Sequence, residues 1–523
     1  MHLGEKESYR LDAIALAEVG RGKIRYAGKV SDLWKNDPAN LVYYNFTDVE
    51  LCVEIDKKDK TIEFHRHISH YVGCPLEKTT NSMPIVDAYV LRKAYGRLVL
   101  PSKIGYNDKG GASDGFEGAT VFAPPKGVQE NVVVLDLKSL YPMSMMTVNA
   151  SPETKDPNGE LHAPNGIRFK KEPDGLVREI QSEILKERDM TKAERNKHPF
   201  GSNEYKLLDM EQDVIKIIMN SYYGVSGNPL FRLYDRDVAS ATTSIGRTIL
   251  EHNRKLVEEE GFRIVGGDTD SVFVKIPISM GRAGTMMIAK YLEKLLNDSY
   301  PEFAKTNLNA DKQYFSVKFE KLYERFFSSG KKKRYAGLLV WKEGKDVRQV
   351  DITGFETERS DSPRVTREAL KTLMGMILEG KSYDEIRTTI RGVIKKYRAG
   401  EYGVEEIGIP GGIGKAFDQY AVKDAQVRAA EYANQYFGTN FGKGSKPKRL
   451  YIKVTPSGYP KTDVIAFEFP DQVPENFVID KDIMLEKTLE SPIRRILESL
   501  GWSWEEFDPS VSTLSQWGLT YEN

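Results

Sequence analysis

One stretch restricts the fold more than any other. Phe262–Val265 and Val272–Val274 are apolar runs separated by Gly266-Gly267-Asp268-Thr269-Asp270-Ser271. Two apolar runs around a Gly/Asp turn predict antiparallel strands joined tightly, so the chain must build an antiparallel sheet. Asp268 and Asp270 stand two apart, and on an extended backbone they face the same side. Carboxylates held together repel unless a cation lies between them, and hard oxygen donors suit Mg²⁺ or Mn²⁺. Taken alone, the segment reads equally well as an acidic solvated turn.

A second segment adds weight to the metal reading. Val132–Leu135 is an apolar, β-branched run that predicts a buried strand ending on Asp136. Pro142 cannot continue a central strand, so the chain must turn before it, leaving the N–H groups of residues 137 to 141 to face a ligand. An Asp leading into free N–H groups is what a metal-bound triphosphate needs. A buried strand with a capping Asp is the plainer account of this segment by itself.

Between them lies Asp209–Tyr223, with Met210, Val214, Ile217 and Ile218 at helical spacing and Gly224 as the expected stop. Lys216 and Asn220 are four apart and share one face, with Tyr223 one turn further on. A solvated face is the usual meaning of such a pair. The Ser221-Tyr222-Tyr223-Gly224 that follows argues for more.

Together these residues resemble the three polymerase motifs of the family B DNA polymerases, especially the archaeal replicative type. Asp136–Pro142 is similar to the first motif, Lys216–Gly224 to the second and Gly267–Ser271 to the third, in the same order. Lys332, Lys333, Arg334 and Tyr335 resemble the basic segment that grips primer-template DNA. Phe116–Ala119 resembles the linker motif ahead of the palm. Asn40–Leu51 resembles the last motif of the family's 3′→5′ exonuclease, with Tyr44 and Asp48 as its Tyr-x-x-x-Asp pair.

The resemblance implies an α+β, multidomain right-hand polymerase with an exonuclease-domain remnant at its start. The expected divisions are a remnant over 1–65, a linker over 66–115, palm over 116–177 and 230–330, two-helix fingers over 178–229, and a helix-rich thumb and tail over 331–523. The first fingers helix is expected over Leu176–Met190 and its polar connection over Thr191–Ser202. Gly408–Gly414 is expected to be a structural loop of the thumb.

The implied chemistry is addition of dNMP from a dNTP to a primer 3′-OH by two Mg²⁺ ions, with Mn²⁺ as substitute. Asp136 and Asp270 would bridge the metals, with the Leu137 backbone contributing and Asp268 further out. Ser139, Leu140 and Tyr141 would line the nucleotide site, with Tyr141 under the sugar. Lys216, Arg188 and Lys192 would meet the triphosphate, and Asn220 and Tyr223 the nascent base pair. Relatives commonly carry Tyr where Gly266 stands, so primer-end positioning is the property expected to differ. The earlier exonuclease motifs do not occur in this sequence, so proofreading is expected to be absent or incomplete. Two rival readings are a split enzyme needing an N-terminal polymerase/exonuclease fragment, and a non-catalytic DNA- or clamp-binding remnant.

Composition is compatible with these readings. Lys plus Arg is 76 and Asp plus Glu is 76 over 523 residues, so a nucleic-acid surface must concentrate its charge locally. Two cysteines, Cys52 and Cys74, exclude a disulfide framework. No apolar run reaches membrane-spanning length, and a cytoplasmic, nucleoid-associated chain is expected. His65, His67 and His70 lack a Cys or acidic partner in pattern and are not expected to bind metal. Val511–Leu519 resembles a degenerate sliding-clamp peptide that would present Leu514 and Trp517 on one helical turn.

Overall fold

The computed structural model describes residues 9–24, 30–103, 115, 117–120, 122–357 and 359–510. Five helices come first: α1 (Leu11–Val19), α2 (Val30–Asn36), α3 (Pro38–Asp59), α4 (Thr61–Val72) and α5 (Ser82–Ala94). Asp37 fixes the start of α3 by accepting the Asn40 N–H at 3.1 Å, with Pro38 in the first turn, where its missing N–H costs nothing. Strand β1 (Gly127–Leu137) leads into α6 (Leu140–Thr147), and β2 (Leu161–His162) and β3 (Arg168–Phe169) make a small separate hairpin. Then come α7 (Leu176–Arg195), α8 (Asn203–Ser226) and α9 (Arg236–Glu259). They are followed by β4 (Arg263–Asp268), β5 (Ser271–Lys275), α10 (Gly281–Leu308), β6 (Val317–Ser328), β7 (Tyr335–Lys342) and β8 (Lys345–Thr353).

The six long strands form one antiparallel sheet in the order β4-β5-β1-β6-β7-β8. The period of two along β1 sorts its side chains cleanly. Val133, Leu135 and Leu137 enter the large core, to which α9 and α10 contribute Ile245, Ile249, Leu292 and Leu296. Val132 and Val134 point to the opposite face, with Val265, Phe273, Tyr323, Phe326 and Leu339. Asp136 follows the second set, so it sits on the face that α9 and α10 do not cover. The fold is α+β, as expected.

Helices α7 and α8 pack as an antiparallel pair, since Arg195 meets Asp209, Arg188 meets Gln212 and Gln181 reaches the Met219 carbonyl. Ser202 caps α8 by accepting the Tyr205 N–H at 3.1 Å. Both helices outrun the sequence reading. α7 continues past Met190 to Arg195, and α8 passes through Gly224 to Ser226, with Gly227 as its cap. Val225 and Ser226 are buried, and their packing outweighs the roughly 1 kcal/mol cost of a helical glycine.

The C-terminal region adds sheet to its helices. The central sheet runs on to Thr353, past residue 330, because β8 is a mostly exposed edge strand held by backbone pairing rather than by an apolar pattern. Beyond it lie α11 (Arg364–Leu378), α12 (Tyr383–Ala399), α13 (Val404–Ile407) and α14 (Ala425–Tyr436). A second sheet accompanies them: β9 (Ile409–Pro410), β10 (Lys448–Val454), β11 (Val464–Phe467) and β12 (Val478–Ile479). Leu373, Ile386, Ile390, Leu450, Ile465 and Phe467 share a core there. The Gly408–Gly414 stretch is partly paired, with Ile409 opposite Arg449 and the Ile413 N–H on the Ser445 carbonyl at 2.9 Å.

Candidate active site

The end of β1 and the β4–β5 turn meet in register. Asp136 pairs with Ser271, and the Leu137 N–H donates to the Asp270 carbonyl at 2.7 Å. Asp268 and Asp270 do not share one extended stretch, contrary to the sequence expectation. They straddle a tight turn in which Thr269 has φ 37° and the Asp270 N–H donates back to the Asp268 carbonyl. A β-branched residue at that φ is strained, and its neighbours hold it there. Thr269 Oγ1 donates to Asp268 at 3.1 Å, and Lys333 Nζ reaches Thr269 Oγ1 at 3.4 Å and the Asp268 carboxylate at 3.1 Å. Asp268 therefore has a lysine partner, whereas among the described residues Asp136 and Asp270 form no ion pair with lysine or arginine, Lys321 and Lys333 acting on them only at longer range.

That difference shows in their acidity. Burial pushes the Asp136 carboxyl up to about 8, with Asp270, Glu320 and Glu343 adding negative charge around it. Burial likewise raises Asp270 to about 6, with Asp268 adding to it. Glu320 escaped the sequence reading. It is the extra residue of a β-bulge where Val134 pairs with Lys321 and Leu135 with Phe319. The break in apolar spacing from Phe319 to Leu322 was the available signal. Glu343 comes back to the same place because its N–H donates to the Glu320 carbonyl at 3.0 Å across the β7–β8 turn.

Hard oxygen donors whose charge lacks compensation fit a divalent cation. Among the described residues no group of three or more His, Cys, Asp or Glu converges as a metal site, the α4 histidines included. A cation at Asp136 and Asp270 would complete its shell from water, backbone oxygen or a ligand's own phosphates, which suits Mg²⁺.

Immediately after Asp136 the chain turns, with Ser139 at φ 48°, into α6. The expected row of free N–H groups is shorter than five. Leu137 donates to Asp270 and Lys138 to the Ser316 carbonyl at 2.8 Å, because the strand ladder extends that far. Ser139, Leu140 and Tyr141 remain at the helix start. The Tyr141 ring lies 4.1 Å from that of Tyr223, so the Lys216–Asn220–Tyr223 face of α8 is turned toward this corner. Burial raises both tyrosines, Tyr223 to about 12. Lys216 and Asn220 are exposed.

Cations gather on the α7 side. Arg188 is 7% exposed, and its Nη2 reaches Gln212 at 3.3 Å while its Nε has no partner. Burial lowers Lys192, and the charges of Arg188 and Lys138 lower it further, so the three lie close together. Asp189, 3.5 Å from Lys138 Nζ, offsets part of that charge.

Lys332 and Lys333 are exposed on the β6–β7 turn, Arg334 lies 4.0 Å from Glu356, and Tyr335 packs edge-on against Phe273. Arg247, on α9, was not foreseen. It donates to the Glu117 and Gly118 carbonyls, each at 2.8 Å. Its partners lie some 130 residues away, beyond the reach of local pattern. Tyr44 and Asp48 share a face of α3, and Lys23 meets both, 2.7 Å from the Asp48 carboxylate and 4.7 Å from the Tyr44 ring centroid. Phe116, Leu514 and Trp517 lie outside the described residues.

An antiparallel sheet thus carries paired acids at one strand end, with a two-helix, lysine-bearing unit beside it. Residues 80–500 match the sequence model of DNA polymerase family B, and the chain belongs to that family. It is 27% identical over 485 residues to "DNA polymerase 2" of Aeropyrum pernix, covering 90% of this chain and 56% of the relative. It is 30% identical over 403 residues to a DNA polymerase of Archaeoglobus fulgidus, covering 75% and 48%. Among solved structures, the family B DNA polymerase of Pyrobaculum calidifontis superposes with TM-score 0.65 at 26% identity, over 95% of this chain and 62% of that one. The chain thus spans about half the length of the curated relatives it matches.

Proposed function

We propose that this chain is a template-directed DNA polymerase that adds dNMP from a dNTP to a primer 3′-hydroxyl. The observation that carries the reading is the pair Asp136 and Asp270, brought together at the β1–β5 register, both pushed above the usual carboxylate range and neither, among the described residues, in an ion pair with lysine or arginine. Two Mg²⁺ ions, when bound, supply activation of the 3′-hydroxyl and neutralisation of the leaving pyrophosphate. Asp136 and Asp270 would hold them, with the Leu137 backbone contributing and Asp268 further out.

The remaining roles follow from position. The orphaned Arg188 Nε, with Lys192 and Lys216, suits the triphosphate, and the N–H groups of Ser139, Leu140 and Tyr141 suit its inner oxygens. The Tyr141 ring, backed by Tyr223, forms a floor for the sugar that leaves no room for a 2′-hydroxyl. Asn220 and Tyr223 border the base pair. Lys332, Lys333, Arg334 and Tyr335 border the duplex, held mainly through phosphates and therefore salt-sensitive. Proofreading is not proposed for these residues, because Lys23 already compensates Asp48. No helix among the described residues is long and apolar enough to cross a membrane.

Primer extension with dNTPs and Mg²⁺, beside Asp270→Ala, tests the reading. Extension lost in the mutant supports it, and no extension by folded wild-type chain refutes autonomous activity. One observation favours the split-enzyme reading as a second possibility. Trp34, Val42, Tyr43, Phe46, Val49 and Val53 leave an apolar stripe exposed along α2 and α3. A protein fragment supplying the remainder of the relatives' length is the partner that would cover it.

A further inference from the structure

The nucleotide-side tyrosines and the catalytic turn sit on different elements, and one short segment ties them together. Its described residues, 117–120 and 122–124, start on α9 and finish on β4. At the first end, Arg247 Nη1 donates to the carbonyls of Glu117 and Gly118 at 2.8 Å each, and Arg247 Nη2 lies 3.3 Å from the Glu117 carboxylate. Thr243, one turn earlier on α9, donates to the same Glu117 carbonyl at 3.0 Å. At the other end, Phe122 pairs with Gly267, the residue before Asp268.

Both ends demand close approach. A Cβ on Gly267 would come within 2.6 Å of the Phe122 ring and 2.7 Å of the Ser271 carbonyl, so only glycine lets the segment lie against the turn. Gly266 has φ 153°, and a Cβ there would stand 3.1 Å from the Phe273 ring and 3.5 Å from Pro124. On α9, a Cβ on Gly246 would meet Leu140 at 3.3 Å and the Tyr141 ring at 3.4 Å. Arg247 therefore stands one residue beyond the point where α9 touches Tyr141, and its charge also acts on the hydroxyls of Tyr141 and Tyr223.

We infer that Arg247 is a positioning residue for nucleotide selection. By holding the Glu117–Gly118 end, it keeps the segment pressed on Gly267 and so fixes the catalytic turn relative to the Tyr141–Tyr223 floor. The inference rests on the polymerase reading for its functional part alone. Its physical part stands separately: without Arg247, the turn carrying Asp268 and Asp270 loosens.

Two measurements on Arg247→Ala, Arg247→Lys and Arg254→Ala test it. Arg254 pairs with Glu251 and Glu258 on the exposed side of α9 and controls for general damage to that helix. The first measurement is hydrogen exchange of peptides covering 266–271. Exchange is expected to rise about tenfold in Arg247→Ala, the scale of one lost charge-assisted hydrogen bond, and less in Arg247→Lys, with Arg254→Ala unchanged. The second is single-nucleotide insertion of dNTP and NTP, in which Arg247→Ala is expected to raise KM for dNTP more than it lowers kcat and to narrow sugar discrimination. Wild-type exchange at 266–271 in Arg247→Ala, or an equal rise in Arg254→Ala, overturns the inference. If Arg247→Ala does not fold, Arg247→Lys decides by the same readouts. If the wild-type chain extends no primer, autonomous polymerase activity fails while the exchange result still judges the Arg247 contact.

Discussion

Asp136 and Asp508 are carboxylates that the fold pushes in opposite directions, one to about 8 and the other to about 2. At Asp136 burial dominates and nearby acids add to it, whereas at Asp508, only 7% exposed, its hydrogen-bond partners outweigh burial. Arg398 grips both Asp508 oxygens, at 2.6 and 2.8 Å, and the Ser510 N–H donates to one of them at 2.8 Å. Around Asp136 stand Asp270, Glu320 and Glu343, with Lys321 opposing them. The C-terminal carboxylate is a finished structural contact. Among the described residues Asp136 and Asp270 have no comparable ion pair with lysine or arginine, which sets them apart from that salt bridge.

The sharpest way to break this contrast is to remove charge on each side. Asp136→Asn should lower primer extension by about three orders of magnitude or more. In chelator, above about pH 8, the same change should raise the melting temperature, because it relieves repulsion that Lys321 offsets only in part. A fall in melting temperature would mean that Asp136 is a structural residue like Asp508. Tyr141→Ala tests the floor beside that site. Discrimination against ribonucleotides should drop by about a hundredfold, the scale at which an apolar wall rejects an added hydroxyl. Unchanged sugar selectivity in a mutant that still extends primers would remove Tyr141 from that role.

On the other side of the comparison, Asp508→Asn should cost about 2 kcal/mol, because Arg398 loses a bidentate partner. The pH dependence has a definite sign. A carboxyl held near 2 when folded and at its ordinary value when unfolded binds fewer protons in the folded state across that interval. Its contribution is complete above about pH 4 and disappears as pH falls from about 4 to about 2. Acid melting of wild type against Asp508→Asn checks this: the two curves should converge near pH 2. Curves that stay parallel would show that Arg398 contributes through packing.

These contrasts were only partly legible in the sequence. Asp136 and Asp270 could be read because each closes a short apolar run, and strand ends and tight turns leave local marks. The α7–α8 pair could be read from its period, although the helix past Gly224 could not, since burial of Val225 is a tertiary fact. Glu320 and Arg247 were illegible for a different reason. One owes its place to a bulge in a register, the other to carbonyls far along the chain. Asp508 is unmarked in the sequence, because a single Asp after an aromatic helix end carries no pattern. The two expected N–H donors at Leu137 and Lys138 failed because the strand ladder ran further than the apolar run that announced it.

The smallest expected effect concerns Asp48, which brings both halves of the comparison into one residue. Its Oδ2 is paired with Lys23 at 2.7 Å, as in a finished salt bridge, while its Oδ1 is buried with no hydrogen-bond partner among the described residues. Side-chain exposures of 26% and 24% keep the pair partly wet, so Lys23→Met should cost about 1 kcal/mol or less. Primer extension should not change, because α3 shares no residue with the Asp136 site. The informative readout is metal-dependent removal of nucleotides from a 3′ end. If Lys23 stands in for a cation, its loss leaves Asp48 able to take a divalent ion, yet one carboxylate cannot build a two-metal nuclease. Degradation should therefore stay absent in Lys23→Met. Its appearance would mean that Asp48 has catalytic partners, and would move it from the Asp508 side of the comparison to the Asp136 side.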